Sequence, residues 1–221
     1  MRTKKQIIKN LGISLWAIVS YHVMAVFIYL LGCLVWTEDV VNEHYFMVDA
    51  WMCAVLLLLF SCWLHRAYQK QPPIEPDAES ERAVYHKLPI LALGLGGISI
   101  LWLTFASTVM QNIPFITNSM ERFDTTWSTI DNEAYIWVLL SVVVIGPIVE
   151  ELLFRGLVFN YLEHIKTGWF PILVSGIAFG VWHGELVQVV YAAFMGIALG
   201  IIYSKTHSLK ATIIILSLIH I

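Results

Sequence analysis

The chain has 221 residues, of which 58% are hydrophobic and 13% charged, and its formal net charge is −3. A typical soluble domain carries about 25% charged residues, so a single water-soluble globule is excluded and a lipid bilayer becomes the expected solvent. The slightly negative balance, with basic residues held close to apolar runs, also argues against nucleic acid as a partner.

A helix that crosses a bilayer needs roughly 20 consecutive, mostly apolar residues. In chain order the qualifying stretches are 11–36, 45–64, 88–110, 135–161, a short one at 169–183, 186–203, and a start from Leu209. All read as helices, because irregular backbone facing lipid leaves N–H and C=O groups unpaired. The expected fold is all-α, a polytopic transmembrane helix bundle of six spans plus a truncated seventh, with the short fifth stretch read as a full crossing. Residues 1–110 form the N-terminal spans. Within them, 66–87, with Gln71-Pro72-Pro73 and alternating acids and bases, reads as a solvated cytoplasmic linker. Residues 135–215 hold the chemistry-bearing core.

Basic residues tend to stay on the cytoplasmic side of a membrane, which tests this topology independently of hydropathy. Arg2, Lys4, Lys5 and Lys9 precede the first span, Arg66, Lys70, Arg82 and Lys87 follow the second, Lys166 follows the fourth, and Lys205 and Lys210 follow the sixth. All fall on one side. The opposite loops carry Glu38, Asp39, Glu43, Glu121, Asp124, Asp131 and Glu133 against one base, Arg122. The N-terminus is therefore expected in the cytoplasm, and the first span reads as a retained anchor, because it is long and lacks a small-x-small cleavage site. Cys33, Cys53 and Cys62 lie in or beside apolar spans without CxxC spacing, and read as buried free thiols.

The fourth span breaks the apolar pattern with Gly146-Pro147-Ile148-Val149-Glu150-Glu151-Leu152-Leu153-Phe154-Arg155. Ionisable groups at bilayer depth cost at least ~2.5–3.5 kcal/mol each on insertion scales, so a functional role is the default hypothesis. Glu151 and Arg155 stand at i and i+4 with the acid first, the favourable order for an ion pair. Glu150 points about 100° away around the helix and is left without a partner on its own span. A carboxyl without a counter-charge in a low dielectric is suited to general acid–base chemistry near neutral pH. Pro147 has no N–H to donate and crowds the carbonyl four residues earlier, so a kink or helix break is expected at Gly146-Pro147.

On the fifth span, Phe179-Gly180-Val181-Trp182-His183 ends in an imidazole. At 1.5 Å per residue, Glu150 lies about 16 Å and His183 about 21 Å above the cytoplasmic boundary, a difference of about one turn. A carboxylate and an imidazole at one level can share a water, one removing its proton while the other orients it and later protonates a leaving amine. Glu185, two residues on, reads as an exposed loop acid. On the sixth span Ala192, Gly196 and Gly200 recur every four residues, a small-residue face suited to close helix packing.

Glu150-Glu151-x-x-x-Arg155 followed by Phe179-x-x-x-His183 resembles the CAAX-protease and bacteriocin-processing family of intramembrane glutamic proteases. The resemblance runs from about residue 135 to 210 and takes in the sixth-span glycines and Thr206-His207-Ser208-Leu209. It implies that Glu150 and His183 are catalytic and activate the attacking water without a metal or other cofactor. Glu151 and Arg155 would organise the site, on peptide or protein substrates that are membrane-associated or prepeptides. It also implies a place in the bacterial cell membrane and a role in bacteriocin maturation or self-immunity. The family's third motif, a His followed four residues later by Asn or Asp, is expected to begin near Leu216 and is absent; His220 sits too late to be assigned to it. Leu216-Ser217-Leu218-Ile219-His220-Ile221 is what CTG TCT CTT ATA CAC ATC encodes, a string that resembles a transposase sequencing adapter. Residues 216–221 are therefore expected to be a non-native tail, and a chain so truncated is expected to have little activity. The competing readings are a metal-dependent membrane hydrolase with Glu150, Glu151 and His183 as ligands, a non-catalytic immunity or scaffold protein, and a proton-coupled transporter.

Overall fold

A computed structural model describes residues 3–70, 72–75, 77–128, 130 and 133–220. Arg2 and Asp131 of the charge pattern, Gln71 of the linker and Ile221 of the tail lie outside them. The described residues form no β-strand, and the order of helices is α1 (Lys4–Val35), α2 (Glu38–Glu43), α3 (Tyr45–Lys70), α4 (Ala78–Tyr85), α5 (Leu88–Thr108), α6 (Pro114–Ser128), α7 (Tyr135–Glu163), α8 (Trp169–Trp182), α9 (Leu186–Thr206) and α10 (Leu209–Ile219). The fold is all-α.

Five helices, α1, α3, α5, α7 and α9, are long and apolar enough to cross a membrane. α1 makes the case for lipid most directly: its apolar window is only 6% buried within the protein, and Leu15, Val23, Val26, Phe27 and Leu30 are exposed. Such a surface is stable only against hydrocarbon. The chain is an integral membrane protein. The expected count of six spans plus a partial seventh is not reproduced by helix length. α8 has 14 residues and α10 has 11, so α8 rises about 21 Å against a core of about 30 Å. α8 stops there because the chain turns at Gly184 with φ +83, a conformation that L side chains rarely adopt.

Polar residues at the ends set the helix boundaries. Thr3 and Gln6 form a capping box at the start of α1, Thr37 caps α2, Asp77 caps α4 and Ser208 caps α10, each accepting from an otherwise orphaned N–H. α9 ends on His207 in the left-handed region, with φ 48.

The chain forms two compact units, each assembled from two stretches. The first comprises Met1–Glu75 and Thr129–Pro171; in it α1, α3 and α7 pack on one another, with α2 against α1 and α3. Its core holds Leu56, Phe60, Leu153, Phe154 and Leu157. The second comprises Pro76–Ser128 and Ile172–Ile221, in which α9 packs on α4, α5, α6 and α10. α8 and α9 approach at Gly176 and Gly196: a Cβ on Gly176 would lie 2.6 Å from the backbone N of Ile197, and one on Gly196 would lie 2.7 Å from the Gly176 carbonyl oxygen. The small-residue face of the sixth span is thus a helix contact, as its spacing predicts.

Two expectations change. The segment read as a solvated linker carries α4, which remains largely exposed yet is tethered within the second unit: the Asp77 N–H donates to the Thr206 carbonyl at 3.2 Å and the Ser208 hydroxyl to Glu81 at 2.6 Å. Cys53 is buried and Cys33 half-buried, but Cys62, also expected to be buried, is exposed. It borders a groove between α1 and α3 that Ser20, Met24 and Trp63 also line.

Candidate functional site

Glu150 and its neighbours sit on α7, which is not α-helical throughout. Leu139–Ile145 and Leu152–Phe159 are π-helical and flank an α-helical turn at Gly146–Glu151. The kink or break expected at Gly146-Pro147 takes the form of a π-helical turn within a helix that stays continuous. The wider turn before Pro147 absorbs the missing donor and the bulk of the ring, and the Gly146 N–H reaches five residues back to the Ser141 carbonyl. A side chain at 146 would overlap that same carbonyl, so only glycine fits.

The predicted ion pair is present. Arg155 Nη1 donates to Glu151 Oε1 at 2.5 Å, and both side chains are 0% exposed. Glu150 faces another way, and its Oε2 is buried with no hydrogen-bond partner among the described residues. One carboxylate is therefore neutralised on its own helix while its sequence neighbour keeps an acceptor available, a difference that follows from the turn between adjacent residues.

A second membrane-depth carboxyl, absent from the sequence reading, lies close by in the same unit. Asp49 on α3 accepts a hydrogen bond at Oδ2 from the Ser141 hydroxyl, and the Cys53 thiol donates to the same oxygen at 3.8 Å. Asp49 and Glu150 interact electrostatically, and Tyr21 from α1 lies within range of both. The signal was available, since an acid inside an apolar span is the same anomaly that singles out Glu150.

His183 belongs to the second unit. Its Nδ1 lies 2.8 Å from the Phe179 carbonyl. A carbonyl only accepts, so Nδ1 carries the hydrogen and Nε2 presents the lone pair. Phe179 and Trp182 hold the ring edge-on, each with centroids 4.8 Å away. The ring lines a cavity of about 180 Å³ bordered by Trp127, Phe179, Tyr191, Met195 and His220. His220, unassigned in the sequence, repeats the pattern with Nδ1 2.8 Å from the Leu216 carbonyl.

Glu185, expected as an exposed loop acid, is instead an anchor. Arg122 Nε donates to its two oxygens at 2.9 and 3.0 Å, and Ser119 donates at 3.2 Å while accepting from the Val187 N–H at 3.1 Å. The Arg122 hydrogen bond holds the Glu185 carboxyl below the usual carboxylate range. Trp102 adds a bond to the Val187 carbonyl at 2.7 Å, so α5 and α6 together fix the turn that follows His183. Among the described residues, no three His, Cys, Asp or Glu side chains gather in a group able to hold a metal ion.

Residues 132–221, which contain both the Glu150-to-Arg155 segment and His183, match the family model described as "Type II CAAX prenyl endopeptidase Rce1-like". A curated relative, "Putative membrane peptidase YdiL" of Bacillus subtilis (strain 168), is 26% identical over 119 residues, which cover 50% of this chain and 49% of that protein. The match thus spans about half the length of the relative. No solved structure matches the chain. Residues 132–221, which hold both motifs, are thus similar to a family of membrane endopeptidases, in keeping with the resemblance that the motifs carry.

Proposed function

We propose that this protein is an intramembrane endopeptidase of the glutamic type. In this reading Glu150 takes a proton from water, the resulting hydroxide attacks the carbonyl carbon of a peptide bond, and the proton passes to the leaving nitrogen as the C–N bond breaks. His183 orients the water through the lone pair on Nε2, and the Glu151–Arg155 pair keeps the Glu150 turn rigid. The observation that carries the reading is Glu150 Oε2, a carboxylate oxygen buried in an apolar helix without a hydrogen-bond partner. Such a group is costly and is retained where it does chemistry. The substrates are peptides that reach the bilayer, membrane-associated proteins or prepeptides. Bacteriocin maturation or self-immunity, in a bacterial membrane with the N-terminus in the cytoplasm, is the setting that the family implies.

The test is Glu150→Gln in the full chain, reconstituted in lipid with a membrane-tethered reporter peptide. Cleavage is expected to be lost while membrane insertion and expression remain those of the parent. Turnover by that variant at the parent rate would refute the assignment. Parent activity retained after exhaustive chelation is expected, and distinguishes this mechanism from a metal-dependent hydrolase.

A further inference from the structure

Asp49 is the single acid in residues 45–64, and the protein holds it in a way that leads to Glu150. Its Oδ2 takes the Ser141 hydroxyl. Ser141 belongs to the π-helical turn before Pro147, and its carbonyl receives the Gly146 N–H. Gly146 opens the short α-helical turn that ends in Glu150 and Glu151. α3 packs directly on that turn. One hydrogen-bonded path therefore runs from Asp49 through Ser141 to the backbone that aims Glu150.

The path alone would suit a structural link, but a neutral pair would serve that end at lower cost, since a carboxyl away from water is expensive even when hydrogen-bonded. What a carboxyl adds is charge. Two carboxyls within electrostatic range in a low dielectric do not ionise independently, and their protons belong to the pair. The groups that face this pair are Tyr21 from α1, Tyr45 and Cys53 from α3, and Glu151 and Arg155 from α7. Arg155 is engaged with Glu151, and none of Tyr21, Tyr45 and Cys53 brings a positive charge.

We propose that Asp49 is a positioning residue for Glu150, fixing its turn through Ser141 and coupling to its proton through charge. The inference rests on the proteolytic reading of Glu150, and its test separates the two. Asp49→Asn keeps an acceptor for Ser141 but removes the charge, whereas Ser141→Ala removes the hydrogen bond and leaves the charge. Both variants are assayed in lipid beside Glu150→Gln, with kcat and KM measured across pH and the protonated-carboxyl band followed by infrared difference spectroscopy.

For Asp49→Asn the expected result is an unchanged KM and a kcat lower by about tenfold or more, the scale on which the hydrogen-bond partners that orient ligating side chains act at metal sites. The pH–rate profile and the carboxyl band that disappears in Glu150→Gln should both be displaced. Ser141→Ala should lower kcat without displacing the profile. If Glu150→Gln cleaves normally, the proteolytic reading fails, and the infrared band alone decides the coupling. If Glu150→Gln is inactive while Asp49→Asn keeps the parent rate, profile and band, the coupling is overturned. Should Asp49→Asn fail to insert, Ser141→Ala decides the positioning link, and a parent-like kcat in that variant overturns it.

Discussion

Arg155→Met removes the guanidinium from a pair in which both side chains are 0% exposed and the donor and acceptor stand 2.5 Å apart. Two unit charges at about 4 Å attract by about 4 kcal/mol at an effective dielectric near 20. That attraction is what compensates for taking Glu151 out of water and out of reach of lipid headgroups. Deleting one partner of a buried pair costs about 3–5 kcal/mol, whereas replacing both by apolar groups of similar volume is often neutral or better. The expected order of stability therefore places the parent and Glu151→Met/Arg155→Met close together, with Arg155→Met about 3–5 kcal/mol below them. Reversible unfolding in mixed micelles, followed by circular dichroism, measures all three. An Arg155→Met chain within about 1 kcal/mol of the parent, or a double variant no better than the single one, would show that the pair does not carry the turn.

Two further outcomes follow from geometry in the second unit. Gly176→Leu places a side chain where a Cβ alone already approaches Ile197 and Gly196 within 3 Å, so α8 and α9 must separate; overpacking of this kind costs about 1–3 kcal/mol, and an unchanged melting temperature in detergent would contradict the contact. The Glu185–Arg122 pair makes stability depend on pH, because the folded-state carboxyl lies below its unfolded value of about 4.3. Its contribution is full above that value and is lost as pH falls through the lower folded value. The melting-temperature gap between the parent and Glu185→Gln should be small, since the pair is partly exposed, present at pH 7, and closed in acid. A gap that stays constant down to acid pH would rule the linkage out.

The amino-acid sequence alone determined the solvent, the helical class and the local logic of the fourth span. Composition excludes water as the medium, and a single helix has a known period, so Glu151 meets Arg155 and Glu150 does not, whatever else the chain does. The small-residue face of Ala192, Gly196 and Gly200 was legible for the same reason. What only the tertiary structure decided involves residues far apart in the chain. Asp49 meets Ser141 across 92 positions and Arg122 meets Glu185 across 63, and no periodicity within one span reports which face of another it touches. Pro147 shows a subtler limit. Its chemistry demands that the hydrogen-bond ladder be interrupted, but an unwound break and a widened turn both satisfy that demand. The choice fell to the packing of α3 against α7, where a π-helical turn lets Ser141 reach Asp49 while Gly146 keeps its bond and the helix continues to Glu150.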